Sequence, residues 1–355
     1  MIDLIAVGAG EVFEKYWLPA IRKSKSAHII GVVEPRKDRW NFLVGLWSAP
    51  SLSGIPKSTS RDTIILVLTP DHYGVVKQVA EMGFKNIVVE KPLVSRDNEL
   101  SLILELARVH GLKLYAVDMY LPKAFSLAAV LGAVSSDDPR LEFLTSAGNN
   151  LLAPISAYLG DVEGASVSVI EGGDFGLPSL DRRQWLEKDP EVGGMLRDLG
   201  THAFGPLVNA GLLGPEAEVC SATLAKFTND RSGLTPVATK KDVEMYVSAQ
   251  LAYDDIPIHI ALGKLPQRGG EWSLVVRGSN GMFFSSLRSG QPAVVLGNNG
   301  ATTPIRLTVS PLDFILGEIG MFYGGHLPAF DGNVGVISAS LQLNEKVRAA
   351  YFSAR

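Results

Sequence analysis

A carboxylate and an imidazole stand four positions apart in the stretch GGMLRDLGTH at residues 193–202. If this stretch forms a helix, Asp198 and His202 lie on one face of it. A carboxylate beside an imidazole raises its proton affinity and fixes its orientation, which suits a general base. We expect Gly193 and Gly194 to let a ligand approach the backbone. A plain surface pair with the same spacing is the alternative.

A lysine at the end of an apolar run is the second chemical group. Lys91 lies in Glu90-Lys91-Pro92, directly after the predicted strand Asn86–Val89. In an open parallel sheet, this end of a strand faces the ligand crevice. An ammonium there can polarise a substrate oxygen, and the alternative is an ordinary surface lysine.

A glycine turn follows the first predicted strand, Ile2–Val7, in the order Val7-Gly8-Ala9-Gly10-Glu11-Val12-Phe13. The first glycine permits a tight turn, and the second lets a pyrophosphate approach the backbone at a helix N-terminus. Phe13 departs from the usual third glycine or alanine. The predicted phosphate-binding residues are Gly8, Gly10, Glu11 and Val12, with a plain tight turn as the alternative.

An acid ends the second predicted strand. Glu34 follows Gly10 by 24 residues, close to the spacing of about 20 expected for the acid that binds a ribose hydroxyl. Its charge favours NAD over NADP, although Arg36 and Lys37 nearby can accommodate a 2′-phosphate. A solvated loop acid is the alternative.

The predicted helices and strands that position these groups follow two different patterns along the chain. Up to residue 120, short β-branched runs alternate with stretches of helical period, which predicts βαβ units and a parallel sheet. The predicted strands are 2–7, 28–33, 63–68, 86–89 and 112–117, and the helices include 75–82 and 99–110. Together with the glycine turn, this pattern predicts an α/β, dinucleotide-binding domain at residues 1–120.

The rest of the chain, residues 121–355, predicts an α+β domain. Helices are expected at 121–132 and 194–211, and a C-terminal helix at 334–353. From residue 218 onward, apolar runs separated by turn residues predict a large, mostly antiparallel open sheet.

Composition excludes several classes of protein. The chain has 355 residues and a formal net charge of −4, without a basic run for nucleic acid. No apolar run approaches the roughly 20 residues of a membrane helix. The single cysteine, Cys220, and the scattered histidines predict no metal site. We expect a cytoplasmic protein.

Four motifs in order resemble the glucose–fructose oxidoreductase, inositol dehydrogenase and rhizopine catabolism (Gfo/Idh/MocA) family. They are the glycine turn, Thr69-Pro70-Asp71-His72, Glu90-Lys91-Pro92 and the 193–202 stretch. The resemblance covers the nucleotide half well and becomes thin over the C-terminal third. It implies a Rossmann domain followed by an α+β domain whose open sheet often serves oligomer contacts. We therefore expect a homodimer or homotetramer.

The resemblance also implies roles for individual residues. Lys91, flanked by Glu90 and Pro92, would lie beside the nicotinamide, and Asp198 and His202 would complete the catalytic set. Thr69, Pro70 and His72 would lie along the cofactor. Tyr120 replaces an arginine that many members carry, so substrate contacts differ there. By position alone, we also predict Arg183 and Trp185 as substrate residues.

The hypothesis is a dehydrogenase that uses NAD, or NADP, on a sugar, amino sugar, aminoglycoside or cyclitol. His202, oriented by Asp198, accepts the hydroxyl proton, and Lys91 polarises the substrate oxygen. Two alternatives stay open: a non-catalytic NAD(P)-binding sensor on the same scaffold, and an enzyme that recycles tightly bound NAD.

Overall fold

The computed structural model describes residues 1–43, 45–96, 98–146, 156–265, 270–288 and 291–355. Two compact units divide the chain: Met1–Met119 with Pro311–Ser338, and Tyr120–Ser310 with Ala339–Arg355. The predicted second domain ran unbroken to residue 355, whereas Pro311–Ser338 groups with the first unit.

The strands and helices are as follows. The strands are β1 Ile2–Val7, β2 Ala27–Val33, β3 Trp47–Ala49, β4 Ile64–Val67, β5 Asn86–Glu90, β6 Lys113–Val117, β7 Leu144–Ser146, β8 Val162–Glu171, β9 Glu218–Phe227, β10 Leu234–Pro236, β11 Tyr246–Tyr253, β12 Ile256–Lys264, β13 Glu271–Gly278, β14 Gly281–Ser286, β15 Ala293–Gly297 and β16 Thr302–Leu307. The α-helices are α1 Leu18–Lys23, α2 His72–Glu81, α3 Glu99–His110, α4 Leu121–Val130, α5 Ser156–Leu159, α6 Leu177–Arg182, α7 Trp185–Lys188, α8 Met195–Asn209, α9 Pro311–Tyr323 and α10 Val334–Ser353. A π-helical turn, Phe13–Trp17, precedes α1, and short 3₁₀ turns lie at Lys37–Phe42, Leu52–Gly54, Pro139–Phe143 and Gly173–Phe175.

The first unit holds a parallel sheet in the order β3-β2-β1-β4-β5-β6. This is the doubly wound arrangement that the alternation of strands and helices predicted, so that prediction is confirmed. β4 is buried along its whole length, because helices cover both faces of such a sheet.

One core explains why the returning segment joins this unit. Ile315, Leu316 and Ile319 of α9 pack in the same apolar cluster as Leu4 of β1 and Trp17. The side chain of Glu318 on α9 also accepts a hydrogen bond from the Tyr115 hydroxyl on β6, where both groups are buried.

The second unit is built on a ten-stranded sheet in the order β10-β9-β11-β12-β8-β13-β14-β15-β16-β7. Among the described strands of this sheet, only β12 and β8 pair in parallel, and the other neighbours run antiparallel. This confirms the predicted mostly antiparallel sheet. α8 packs against β12 and β8 and also against α4, which fixes the helix that carries Asp198 and His202. In the described part of the chain, no helix is long and apolar enough to cross a membrane.

Candidate functional site

The glycine turn after β1 is tightly packed at one glycine and open at the other. Gly8 has a φ of 101°, and a Cβ on it would come within 3.0 Å of the backbone nitrogen of Thr69. Its N–H donates to the Val33 carbonyl over 2.8 Å. A Cβ on Gly10 would meet no atom of the described residues within 4 Å. The turn therefore packs against the sheet at Gly8 and leaves space at Gly10.

The helix that follows the turn accommodates a bulky residue at its start. Phe13 is completely buried, and the backbone forms a π-helical turn from Phe13 to Trp17. The wider π turn places one more residue in the helix at this point. Glu11 is exposed and forms an ion pair with Lys15 one turn later, and Val12 is 44% exposed.

Glu34, at the end of β2, is buried and bound to the glycine turn, so it is not a solvated loop acid. Its Oε2 accepts the Ala9 N–H over 2.8 Å, and its Oε1 accepts the Arg36 N–H and Nε–H over 3.0 and 2.8 Å. Burial opposes ionisation, but the Arg36 guanidinium and these N–H groups outweigh it and lower the pKa of Glu34. Glu34 is therefore an anion, and Arg36 is its half-exposed partner.

Two residues that the sequence analysis missed support this corner. Arg39 donates from Nε to the Ala9 carbonyl over 3.1 Å and from its terminal nitrogen to Glu14 over 2.6 Å. The Trp40 indole N–H donates to the Glu34 carbonyl over 2.9 Å. No local pattern separates these side chains from other residues of a polar turn, so the sequence offered no signal for them.

The exit of β4 and the turn after β5 are joined by hydrogen bonds. The His72 ring donates from Nδ1 to the Pro92 carbonyl over 2.6 Å, and the Ser95 hydroxyl donates to the Pro70 carbonyl. Burial lowers the pKa of His72 to about 4, so its ring is neutral. The structure thus brings together His72, Pro70 and Pro92, all predicted to lie along the cofactor.

Lys91 directly follows β5, at the carboxyl edge of the parallel sheet. Its backbone N–H donates to Glu90 Oε2 over 3.1 Å, and the Trp17 indole N–H donates to Glu90 Oε1 over 3.3 Å. Burial raises the pKa of Glu90 to about 7, against the opposing influence of Lys91 and Trp17. The peptide bond between Lys91 and Pro92 is cis. This is the edge at which doubly wound sheets bind ligands.

This edge fits a dinucleotide. The open backbone at Gly10 provides a place for a phosphate, and the helical backbone that begins at Glu11 and Val12 presents its positive end there. Glu34 and Arg36 supply one anion and one exposed cation next to the same turn. These residues of the first unit could hold an NAD-type cofactor.

In the second unit, the two glycines before α8 serve packing, which corrects the expectation that they admit a ligand. A Cβ on Gly193 would lie 2.6 Å from the Asp189 carbonyl oxygen, and one on Gly194, whose φ is 97°, would lie 2.4 Å from Glu244 Oε1. The buried Glu244 carboxylate accepts the Leu196 N–H over 3.3 Å. A carboxylate of the chain itself therefore occupies the positive end of α8.

Asp198 lies between two cations. Its side chain is 9% exposed, with Oδ1 3.6 Å from the Arg183 guanidinium and Oδ2 3.8 Å from Lys264 Nζ. The structure thus places Arg183 next to Asp198, and its role as a substrate residue stays a prediction. Lys264 was missed, because it lies in none of the motifs and reaches Asp198 only through the packing of α8 on β12.

His202 is 6% exposed and lies in an aromatic cluster. Its ring centroid is 4.5 Å from that of Tyr120, edge to face, and 5.9 Å from that of Trp272. The structure therefore joins Tyr120 to His202 and adds Trp272, which the sequence analysis missed. Trp185 is 46% exposed on the short helix α7. Because Asp198 and His202 are largely buried, they are not a surface helix pair.

Over the residues that the structure describes, no three histidine, cysteine, aspartate or glutamate side chains are grouped to hold a metal ion.

The parallel sheet, the glycine turn and the acid after β2 define the first unit as a dinucleotide-binding domain of the doubly wound class. Residues 2–118 match the sequence model of the Gfo/Idh/MocA family, an oxidoreductase family with an NAD-binding Rossmann fold. This domain belongs to that family, which confirms the resemblance seen in the motifs. The protein is an NAD(P)-dependent oxidoreductase.

Solved structures share the fold over almost the whole chain. KijD10, a 3-ketoreductase from Actinomadura kijaniata solved with NADP and TDP-benzene, matches with a TM-score of 0.71 and 17% identity, covering 99% of this chain and 98% of its own. An oxidoreductase from Agrobacterium radiobacter, solved with NAD+, L-tartaric acid and magnesium, matches with a TM-score of 0.68 and 15% identity, covering 99% and 96%. At these identities, the likeness establishes the fold alone. The sequence matches no curated protein.

Proposed function

We propose that the protein oxidises a secondary hydroxyl, or reduces the corresponding ketone, of a sugar, an amino sugar or aminoglycoside, or a cyclitol. The observation that carries the proposal is the Asp198 and His202 pair on α8, largely buried among charged and aromatic side chains. A carboxylate and an imidazole in such a setting can take up and release one proton in each turnover, which alcohol oxidation requires.

NAD is the preferred cofactor in this proposal. The Glu34 carboxylate is an anion beside the glycine turn, and it would repel the 2′-phosphate of NADP. Arg36 is exposed next to it and would attract that phosphate, so NADP is the second candidate. The proposed cofactor-binding residues are Gly8, Gly10, Glu11, Val12, Glu34, Arg36, Thr69, Pro70, His72, Glu90, Lys91 and Pro92.

The proposed chemistry assigns one role to each catalytic residue. In the oxidation direction, His202 accepts the hydroxyl proton, and the Asp198 carboxylate stabilises the resulting imidazolium. Lys91 donates a hydrogen bond to the oxygen as charge develops on it. Bound NAD supplies the nicotinamide that takes the hydride. In the reduction direction, His202 returns its proton to the oxygen.

The side chains around His202 support a ring-shaped, hydroxylated substrate. The C–H groups of a sugar or cyclitol ring can pack against the aromatic rings of Tyr120 and Trp272, whose centroids are 4.7 Å apart. Hydroxyl groups need polar partners, for which Arg183 and Trp185 are the proposed residues. The related fold of KijD10, a 3-ketoreductase, is consistent with a carbonyl or carbinol carbon as the reacting centre.

The first experiment mixes the purified protein with NAD or NADP and a panel of sugars, aminoglycosides and cyclitols. Reduction of the cofactor is followed by its absorbance. We expect Lys91→Ala to lose turnover by about 100-fold or more, because Lys91 acts on the substrate oxygen. NADH affinity should change far less, because the other proposed cofactor-binding residues remain. The matched control is Lys77→Ala, which removes an exposed lysine from α2.

Near-normal turnover of Lys91→Ala would overturn the role of Lys91. NADH binding without turnover of any substrate would favour the non-catalytic sensor. Copurified NAD that stays bound through a complete reaction would favour internal recycling.

A further inference from the structure

Lys264 is a completely buried lysine that ends β12 in the second unit. Its Nζ donates to the Glu171 carboxylate on the neighbouring strand β8 and to the Phe175 carbonyl over 3.0 Å. The same Nζ lies 3.8 Å from Asp198 Oδ2 on α8. One ammonium therefore lies between two carboxylates that belong to different elements.

The two cations near Asp198 differ in their exposure to water. The Arg183 side chain is 39% exposed, whereas the Lys264 side chain has no exposed surface. Water screens a charge that is partly exposed, while a buried charge acts through a medium of lower dielectric constant. Lys264 is therefore the cation with the stronger electrostatic influence on Asp198 at comparable distance.

We propose that Lys264 is a positioning residue. It keeps Asp198 ionised and fixes the orientation of the Asp198 carboxylate on the side of α8 that packs against β12. The proposal rests on the proposed function, because it treats His202 as the base that Asp198 serves. Glu171 anchors Lys264 by accepting its hydrogen bond, since a buried ammonium requires a paired carboxylate. Lys264 acts through Asp198 and is assigned no contact with substrate.

Removal of Lys264 changes the charge balance around Asp198. The groups near this carboxylate include Arg183 and Lys264. His202 lies one helical turn along α8, and Glu171 lies behind Lys264. Without the ammonium, Asp198 and Glu171 lose the buried cation that lies between them, and protonation of a carboxylate becomes more favourable. A protonated Asp198 no longer stabilises the imidazolium of His202.

The test uses Lys264→Met, Glu171→Gln and the double variant. For Lys264→Met we expect the acid limb of the kcat/KM profile to move up by about one pH unit or more, as for loss of a close opposite charge. We expect kcat at neutral pH to fall about tenfold or more, with KM nearly unchanged. Glu171→Gln removes the carboxylate of Glu171 from Lys264 while Asp198 stays in place. We expect the acid limb of this variant to stay at the wild-type pH or move down.

The double variant separates positioning from structural support. It removes the uncompensated carboxylate together with the ammonium, so it carries the test if Lys264→Met alone does not fold. We expect it to keep the raised acid limb, because Asp198 still lacks the buried ammonium of Lys264. A double variant with the wild-type profile and turnover would show that Lys264 serves only to neutralise Glu171, and the proposal would be overturned.

A second readout does not depend on activity. The carboxyl carbon of Asp198, assigned by its absence in Asp198→Asn, is titrated by ¹³C NMR in wild type and in the double variant. A midpoint higher in the variant supports the proposal, and equal midpoints overturn it. If the wild-type protein turns over no substrate, the proposed function fails while this titration still decides whether Lys264 controls Asp198.

Discussion

Gly10 provides a sharp test of the cofactor site, because a methyl group there meets no described atom of the protein. In Gly10→Ala, we expect the free energy of unfolding without cofactor to stay unchanged or rise by about 0.4–1 kcal/mol, since the unfolded chain loses freedom. The methyl group does occupy the open side of the turn, where the pyrophosphate is proposed to lie. We expect NADH affinity to fall at least about tenfold, or about 1.4 kcal/mol.

Gly8→Ala is the matched comparison on the same turn. Two features of Gly8 disfavour a side chain. Its φ is 101°, and a Cβ there would come within 3.0 Å of the backbone nitrogen of Thr69. We expect the variant to lose about 1–3 kcal/mol of stability in addition to NADH affinity.

Urea unfolding of the cofactor-free variants measures stability, and NADH fluorescence titration measures affinity. Wild-type NADH affinity in Gly10→Ala would refute the placement of the pyrophosphate. A loss of stability in Gly10→Ala equal to that of Gly8→Ala would refute the open space at this position.

Two further predictions concern stability. The pKa of His72 is lowered from 6.5 to about 4. The stability that its neutral ring contributes is therefore complete above pH 6.5 and is lost as the pH falls towards 4. Urea unfolding from pH 7 to 4 should show His72→Asn losing up to about 3 kcal/mol less than wild type; equal losses would contradict this. Tyr115→Phe leaves the buried Glu318 carboxylate without its hydroxyl donor and should cost about 1–3 kcal/mol. An unchanged urea midpoint would show that this contact contributes nothing.

Local patterns predicted most of the first unit. The apolar runs marked β1 with its observed ends, and the amphipathic stretch before Gly111 marked α3, Glu99–His110, with its observed ends. Gly111 ends that helix in a left-handed conformation with a φ of 59°, which a glycine adopts at little cost. The π-helical turn Phe13–Trp17, which contains the completely buried Phe13, was not predicted.

The residues of the candidate site were also predicted only in part. The Asp198 and His202 spacing was visible because a helix brings residues four positions apart onto one face. Trp272 was not visible, because its place near Tyr120 and His202 depends on the register between β13 and β8. The same holds for Lys264, which meets Asp198 only through the packing of α8 on β12.

The sequence alone determined the nucleotide-binding class, the glycine turn and the spacing of the proposed proton-transfer residues, because each depends on neighbours along the chain. Tertiary structure decided which charges surround those residues. It buried Glu34 against the glycine turn, placed the Glu244 carboxylate at the N-terminus of α8, and placed Lys264 beside Asp198. These contacts join residues far apart in the chain, and strand register and helix packing set their distances.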